Sequence, residues 1–164
     1  MIIVENEEIS RAKIAAGALM SHADDAGWSV VWPAMEKDIE FGQGVMLAIE
    51  TSSGVRSMRT MKRFTEDQLA DLYIWIIRQY HQYQHTVDPE YNEIHPTITS
   101  GENIFNWSYS ILNHLKERGK PQAVEAIRRI SRELPEQDWL KWTIIEAQDL
   151  ARRKTWTPLQ PDYI

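Results

Sequence analysis

Thr65-Glu66-Asp67-Gln68, followed by Leu69, Leu72, Tyr73, Ile76, Ile77 and Tyr80, constrains the fold more tightly than any other stretch. A hydroxyl at the N-cap with a glutamine three residues later is a capping box, in which each side chain satisfies a backbone N–H of the other. The apolar residues fall at i, i+3, i+4, i+7, i+8 and i+11, which draws one stripe down a helix. Trp75 lies off that stripe, so the helix is expected to meet a second neighbour.

The same grammar repeats downstream. Thr99-Ser100-Gly101-Glu102 is another capping box, leading into Ile104, Trp107, Ser108, Ile111, Leu112 and Leu115. Gly119 is suited to the left-handed C′ position, and Lys116 and Arg118 complement the helix dipole in the last turn. Pro121 fits the first position of a third helix. Its stripe is Ala123, Ile127, Ile130 and Leu134, and Pro135 ends it. Asp138 is placed to cap a fourth helix carrying Leu140, Thr143, Ile144, Ala147 and Ala151, with Trp139 and Trp142 as a second apolar patch. The whole region from Thr65 to Lys154 is predicted helical.

The first fifty residues are written less sharply. Residues 9–22 are alanine-rich and helix-favouring, with Ile14, Ala15, Ala18 and Leu19 on one side. Residues 28–50 carry Trp32, Met35, Ile39, Val45, Met46 and Ile49. There Pro33 is either a first helical residue or a break, and Gly42 and Gly44 are expected to divide the segment into two helices. Ser52-Ser53-Gly54 opens a polar loop that runs to about Arg63. Short helices, each with a main stripe and often a second, must bury a face against the next. The expectation is therefore an all-α, α-solenoid-like stack of antiparallel helical hairpins of the HEAT or TPR kind, without sequence-identical repeats. It comprises a single helical domain over 1–154: N-terminal helices in 1–53, a basic loop at 54–64 and a helical repeat core over 65–154. Residues 155–164, with Pro158 and Pro161, read as a linker-like tail.

Composition narrows the function. A chain of 164 residues, 43% hydrophobic and 26% charged, has the makeup of a soluble globular domain with a real core. The absence of cysteine excludes disulfides, thiolate metal sites and cysteine nucleophiles. Met1-Ile2-Ile3-Val4 gives way at once to Glu5, Asn6, Glu7 and Glu8, so no leader is expected, and no stretch is apolar enough for a membrane span. The cytoplasm is the default location. A net charge of −6 and a pI near 5.4 argue against a dedicated nucleic-acid binder.

No constellation with catalytic chemistry emerges, and no cofactor is implied. Gly119-Lys120 is not a phosphate loop, because Pro121 replaces the Ser or Thr and His114 stands where the first glycine belongs. Nucleophile-elbow and dinucleotide fingerprints are missing. His81 and His85 have the i, i+4 spacing of a zinc site, with His95 beyond them, but Gln82 follows His81 and leaves no general base. The carboxylates Glu7/Glu8, Asp24/Asp25 and Asp88/Glu90/Glu93 read as solvated surface. Three basic clusters are candidates for phosphate or nucleic acid: Arg56/Arg59/Lys62/Arg63, Arg128/Arg129/Arg132 and Arg152/Arg153/Lys154. The second and third sit opposite apolar stripes, as solvated faces do, which leaves the loop as the more suggestive of them. Tryptophan is enriched at binding hot spots, and Trp75, Trp139, Trp142 and Trp156 are the contact residues favoured here.

Leu69 to Trp75, Trp107 to Gly119, Ala123 to Ile127 and Glu133-Leu134-Pro135 form a familiar pattern, continued in Trp139 to Trp142, Glu146-Ala147 and Arg152 to Pro158. Over about residues 28–160 the chain resembles the helical region toward the C-terminus of bacterial NACHT-type and related STAND NTPases. The matching positions are packing and capping residues, with Asp38 to Gly42 a weaker match upstream. The resemblance implies a module that senses a ligand or regulates assembly beside an NTPase lying N-terminal to it. No ATP-binding residue carries over. The expected function is thus a non-catalytic helical-repeat module for protein interaction, ligand sensing or regulation, in signalling or defence. Its partner would be another protein, the remainder of a larger polypeptide or a second copy. Nucleic-acid binding through 56–63 and 152–154 is the alternative, and a metal site at His81, His85 and His95 a second one.

Overall fold

The structure is a computed structural model that describes residues 7–22, 25–52, 61–86 and 101–155. Among them lie seven helices and no strand: α1 (Glu7–His22), α2 (Asp25–Lys37), α3 (Ile39–Ser52), α4 (Glu66–Thr86), α5 (Gly101–Arg118), α6 (Pro121–Glu133) and α7 (Leu140–Thr155). The all-α expectation holds. The chain divides into two compact units, one made of Met1–Phe64 with Arg78–Phe105, the other of Thr65–Ile77 with Asn106–Ile164. The division falls inside α4.

In the first unit α1 packs on α3, and α2 packs on both. The break between α2 and α3 is made by Asp38 rather than by glycine. Asp38 N–H still donates to Ala34 O (3.0 Å), while its Oδ1 accepts from Phe41 N–H (3.0 Å) and its carbonyl from Gly42 N–H (2.9 Å). That is an N-cap starting a new helix in the residue after the old one ends. Gly42 and Gly44 therefore sit inside α3 and divide nothing. Pro33 is likewise neither a first residue nor a break, since α2 runs through it. The ring deprives Ser29 O of its N–H donor, and the neighbouring turn is held by Ser29 Oγ donating to Asp25 O at 2.6 Å.

The glycines serve the contact between α1 and α3. A Cβ built on Gly17 would lie 2.6 Å from Ala48 Cβ, and one on Gly44 would run into the Lys13 side-chain carbons. Both contacts join a residue of α1 to one further along α3 by the same offset, so the two helices run in the same direction. This contact decides which side of α1 is buried. Its buried side is Lys13, Ala16, Gly17 and Met20, whereas Ile14 (64% exposed), Ala15, Ala18 and Leu19 (50%) face outward. Small residues bring the backbones close, and that proximity outweighs the larger apolar side chains opposite. Val31, Met35, Val45, Met46 and Ile49 complete the core. Met61 and Phe64 belong to it too, so the segment read as a polar loop ends on buried apolar anchors. Trp28 stacks on Trp32 (centroids 4.9 Å apart) and meets Phe64 edge-on at 5.7 Å.

The second unit follows its sequence grammar. The capping box forms in both directions, Gln68 N–H donating to Thr65 Oγ1 (3.1 Å) and Thr65 N–H to Gln68 Oε1 (2.9 Å). Leu69, Leu72, Tyr73, Ile76 and Ile77 are all buried, as are Trp107, Ser108, Ile111, Leu112 and Leu115 of α5. The Tyr80 and Ile104 side chains and the Thr99–Ser100 cap lie outside the described residues. Gly119 adopts φ +57° and donates to Lys116 O at 3.2 Å, ending α5 as expected. Pro121 opens α6 behind an extended Lys120, and Leu134 N–H closes the helix on Ile130 O at 2.9 Å. Helix α6 packs on α7, which buries Leu140, Thr143, Ala147 and Ala151. The start of α7 uses backbone turns, with Leu140 N–H on Gln137 O (3.0 Å) and Trp142 N–H on Trp139 O (3.1 Å). The Asp138 carboxylate is meanwhile taken by Lys141 Nζ at 2.7 Å.

Candidate interaction surface on the last helix

Helix α7 has two faces of different character. At about 100° per residue, Leu140, Thr143, Ile144, Ala147 and Ala151 share the side turned to the core. Lys141, Trp142, Ile145, Asp149 and Arg152 fall within about 100° of arc on the opposite side. Trp142 is 72% exposed, and Trp139 and Ile145 are 50% and 48% exposed. Burying a large apolar side chain is worth about 1.5–3 kcal/mol, so Trp139 in the turn before α7 and Trp142 and Ile145 on it, all left in water, make a candidate contact strip.

Charges border the strip. Asp138 pairs with Lys141 at 2.7 Å and Arg152 with Asp149 at 3.8 Å, all four side chains being largely exposed. The Asp138 carboxyl is held below its ordinary value by the hydrogen bond and charge of Lys141. On its flank Lys116 of α5 reaches Glu146 at 3.0 Å. Ion pairs this exposed add little stability, and each end of the apolar strip carries one acid beside one base.

The strip stands on a well-tied base. Tyr73 O–H donates to Gln137 Oε1 at 2.9 Å, and burial pushes the phenol pKa far up. Arg129 Nη2 donates to Asp71 Oδ1 (2.6 Å) and to Asp67 O (2.9 Å). Glu66 meets Arg118 at 3.2 Å and Lys120 at 2.5 Å. Burial alone would raise the Glu66 carboxyl pKa, but the hydrogen bonds and charges from Lys120 and Arg118 outweigh it and hold the group below its ordinary value of 4.5.

The residues singled out in the sequence meet different fates. Trp139 and Trp142 are on the surface as a contact role requires, and Ile145 joins them; its i+3 spacing from Trp142, off the buried stripe, was the signal for it. Trp75 is only 7% exposed, among the buried residues of the second unit. Trp156, Arg56 and Arg59 lie outside the described residues, while Lys62 and Arg63 are exposed. The cluster at the end of α7 is partly engaged in structure. Lys154 Nζ donates to Glu117 O at 2.6 Å, closing the C-terminus of α5, and Arg152 pairs with Asp149, while Arg153 is exposed. Arg129 is tied to Asp71, and Arg128 to Glu125. His81 and His85 fall in α4 with side chains outside the described residues, as is the whole of His95. Among the described residues no three His, Asp or Glu side chains come together as a metal site, and no helix is long and apolar enough to cross a membrane.

No family model, curated protein or solved structure matches the chain.

Proposed function

We propose that this chain is a non-catalytic helical module that works by protein interaction, the Trp139–Trp142–Ile145 strip of α7 being its contact surface. The observation that carries the reading is the exposure of these three side chains, one just before and two on a helix whose other face buries Leu140, Thr143, Ala147 and Ala151. Contact hot spots favour tryptophan, and α7 is held by two neighbours: by α6, and by α5 through the Lys116–Glu146 pair and Lys154 on its last turn. The resemblance to the helical region of NACHT-type and STAND NTPases supports a sensing or regulatory role in signalling or defence, with a solenoid-like helical stack as the architecture. In that setting the partner is a protein or the remainder of a larger polypeptide, in the cytoplasm.

The experiment is site-specific photocrosslinking. A benzoylphenylalanine at position 142 should give one dominant protein adduct in cells, whereas the same group at Arg132, exposed on α6, gives none. Equal, diffuse labelling from both positions would sink the reading. Trp142→Glu should remove the contact while leaving the melting temperature within a few degrees, because this side chain is already in solvent.

A further inference from the structure

The outward face of α7 and of the turn that leads into it reads, from one end to the other, Asp138, Lys141, Trp142, Ile145, Asp149, Arg152. Turned end for end about Ile145, this order meets its own complement. Asp138 comes opposite Arg152, Lys141 opposite Asp149, and Ile145 opposite itself. A twofold interface places the same patch on both partners, so it is stable only when the patch complements itself under that rotation. The charge order meets this condition at both flanking pairs, and the two tryptophans fall on either side of the central isoleucines. We propose that the occupant of this strip is a second copy of the chain, its α7 packed antiparallel against the first with the twofold axis at Ile145.

This inference rests on the reading of α7 as a contact surface and names its partner. In the single chain Lys141 is already paired with Asp138, and Arg152 with Asp149. On pairing, each of the four charges gains a second opposite charge from the partner helix, and none has to leave water alone. Moving the axis by one and a half residues either way sets Asp138 against Asp149 or Lys141 against Arg152, so like charges oppose those two neighbouring registers. One helix pair is a small interface, below the roughly 1,200–2,000 Å² of stable complexes, so the dimer forms reversibly with concentration.

The test is sedimentation equilibrium of the full chain from micromolar to near-millimolar concentration, with charge-swapped variants. The wild type should pass from monomer to dimer. Lys141→Glu alone sets Glu against Asp149 twice, and Asp149→Lys alone sets Lys against Lys141 twice. Each should raise the dissociation constant by about tenfold or more. An equimolar mixture of the two single variants restores both pairs across one heterodimer and should regain association, which no loss of folding can imitate. Ile145→Glu should abolish the dimer with the helical circular dichroism unchanged. A wild type that stays monomeric throughout, or single variants that associate as well as their mixture, would overturn the proposal. Crosslinking at position 142 separates the two readings. A covalent dimer supports both, an adduct with a different protein overturns self-pairing alone, and an adduct within one chain, or none, overturns both.

Discussion

The backbone at Gly119 has φ +57°, and a Cβ there would sit 2.5 Å from Lys154 Cδ, the side chain that closes the end of α5. Gly119→Ala therefore meets both a left-handed backbone penalty of about 1–2 kcal/mol and a displaced lysine. Its urea midpoint should fall accordingly, and an unchanged midpoint would mean that the turn is not held as described. Gln43 is the opposite case. It is 2% exposed, and neither its Oε1 nor its Nε2 has a hydrogen-bond partner among the described residues. An unsatisfied buried amide costs about 1–3 kcal/mol, so Gln43→Met should raise the unfolding free energy, as read from chemical denaturation. The two residues differ in legibility. A glycine just past a helix is announced by its neighbours, because the need for a left-handed residue is local. The burial of Gln43 depends on which side of α3 meets α1 and α2, and nothing adjacent in the chain encodes that.

At the scale of elements, α4 to α7 were legible from their stripes, and α4 and α6 also from the residues that start them, whereas the Asp138 side chain expected to cap α7 pairs with Lys141 instead. The reciprocal bonds of Thr65 and Gln68 and the buried series from Leu69 to Ile77 follow from spacing alone. Helices α1 to α3 were not, since their association runs through small residues that carry little hydrophobic signal. Gly17 is the sharpest instance. Alanine is the better helix former by about 1 kcal/mol, yet its methyl group would lie 2.6 Å from Ala48 Cβ, and forced overpacking costs about 1–3 kcal/mol. Gly17→Ala should thus lower the thermal midpoint even though it strengthens the isolated helix. Leu19→Gln, on the exposed side, should leave it within experimental error. If the two variants behaved the other way round, the buried face of α1 would be the one carrying Ile14 and Leu19.

At the scale of the whole molecule, one acid-sensitive contact among the described residues is where Glu66 at the start of α4 meets Arg118 and Lys120 at the end of α5 and its following turn. The Glu66 carboxyl titrates below 4.5 when folded. Its contribution is therefore complete above that value and is lost as pH falls through the folded one. Glu66→Gln should flatten the stability profile below pH 4.5 while lowering stability at neutral pH; an acid limb as steep as wild type would place the sensitivity elsewhere. The charge cluster was not legible beforehand, because it joins residues far apart in the chain, whereas the strip on α7 was half legible from Trp139 and Trp142. The way α4 is divided has a further consequence, for synthesis. The second unit takes Thr65–Ile77 from the middle of the chain and the rest from Asn106 onward, with Arg78–Phe105 of the first unit between them. On the ribosome, Leu69, Leu72, Tyr73 and Ile76 therefore emerge well before Asn106–Ile164, the rest of their unit, has been made. At about 5–20 residues per second, they wait on the order of several seconds as an uncovered apolar ridge. Nascent chains halted after α5 should be cleaved by protease within 66–77, and chains extended past α7 should resist, so the order of emergence makes this stretch the natural target of a chaperone.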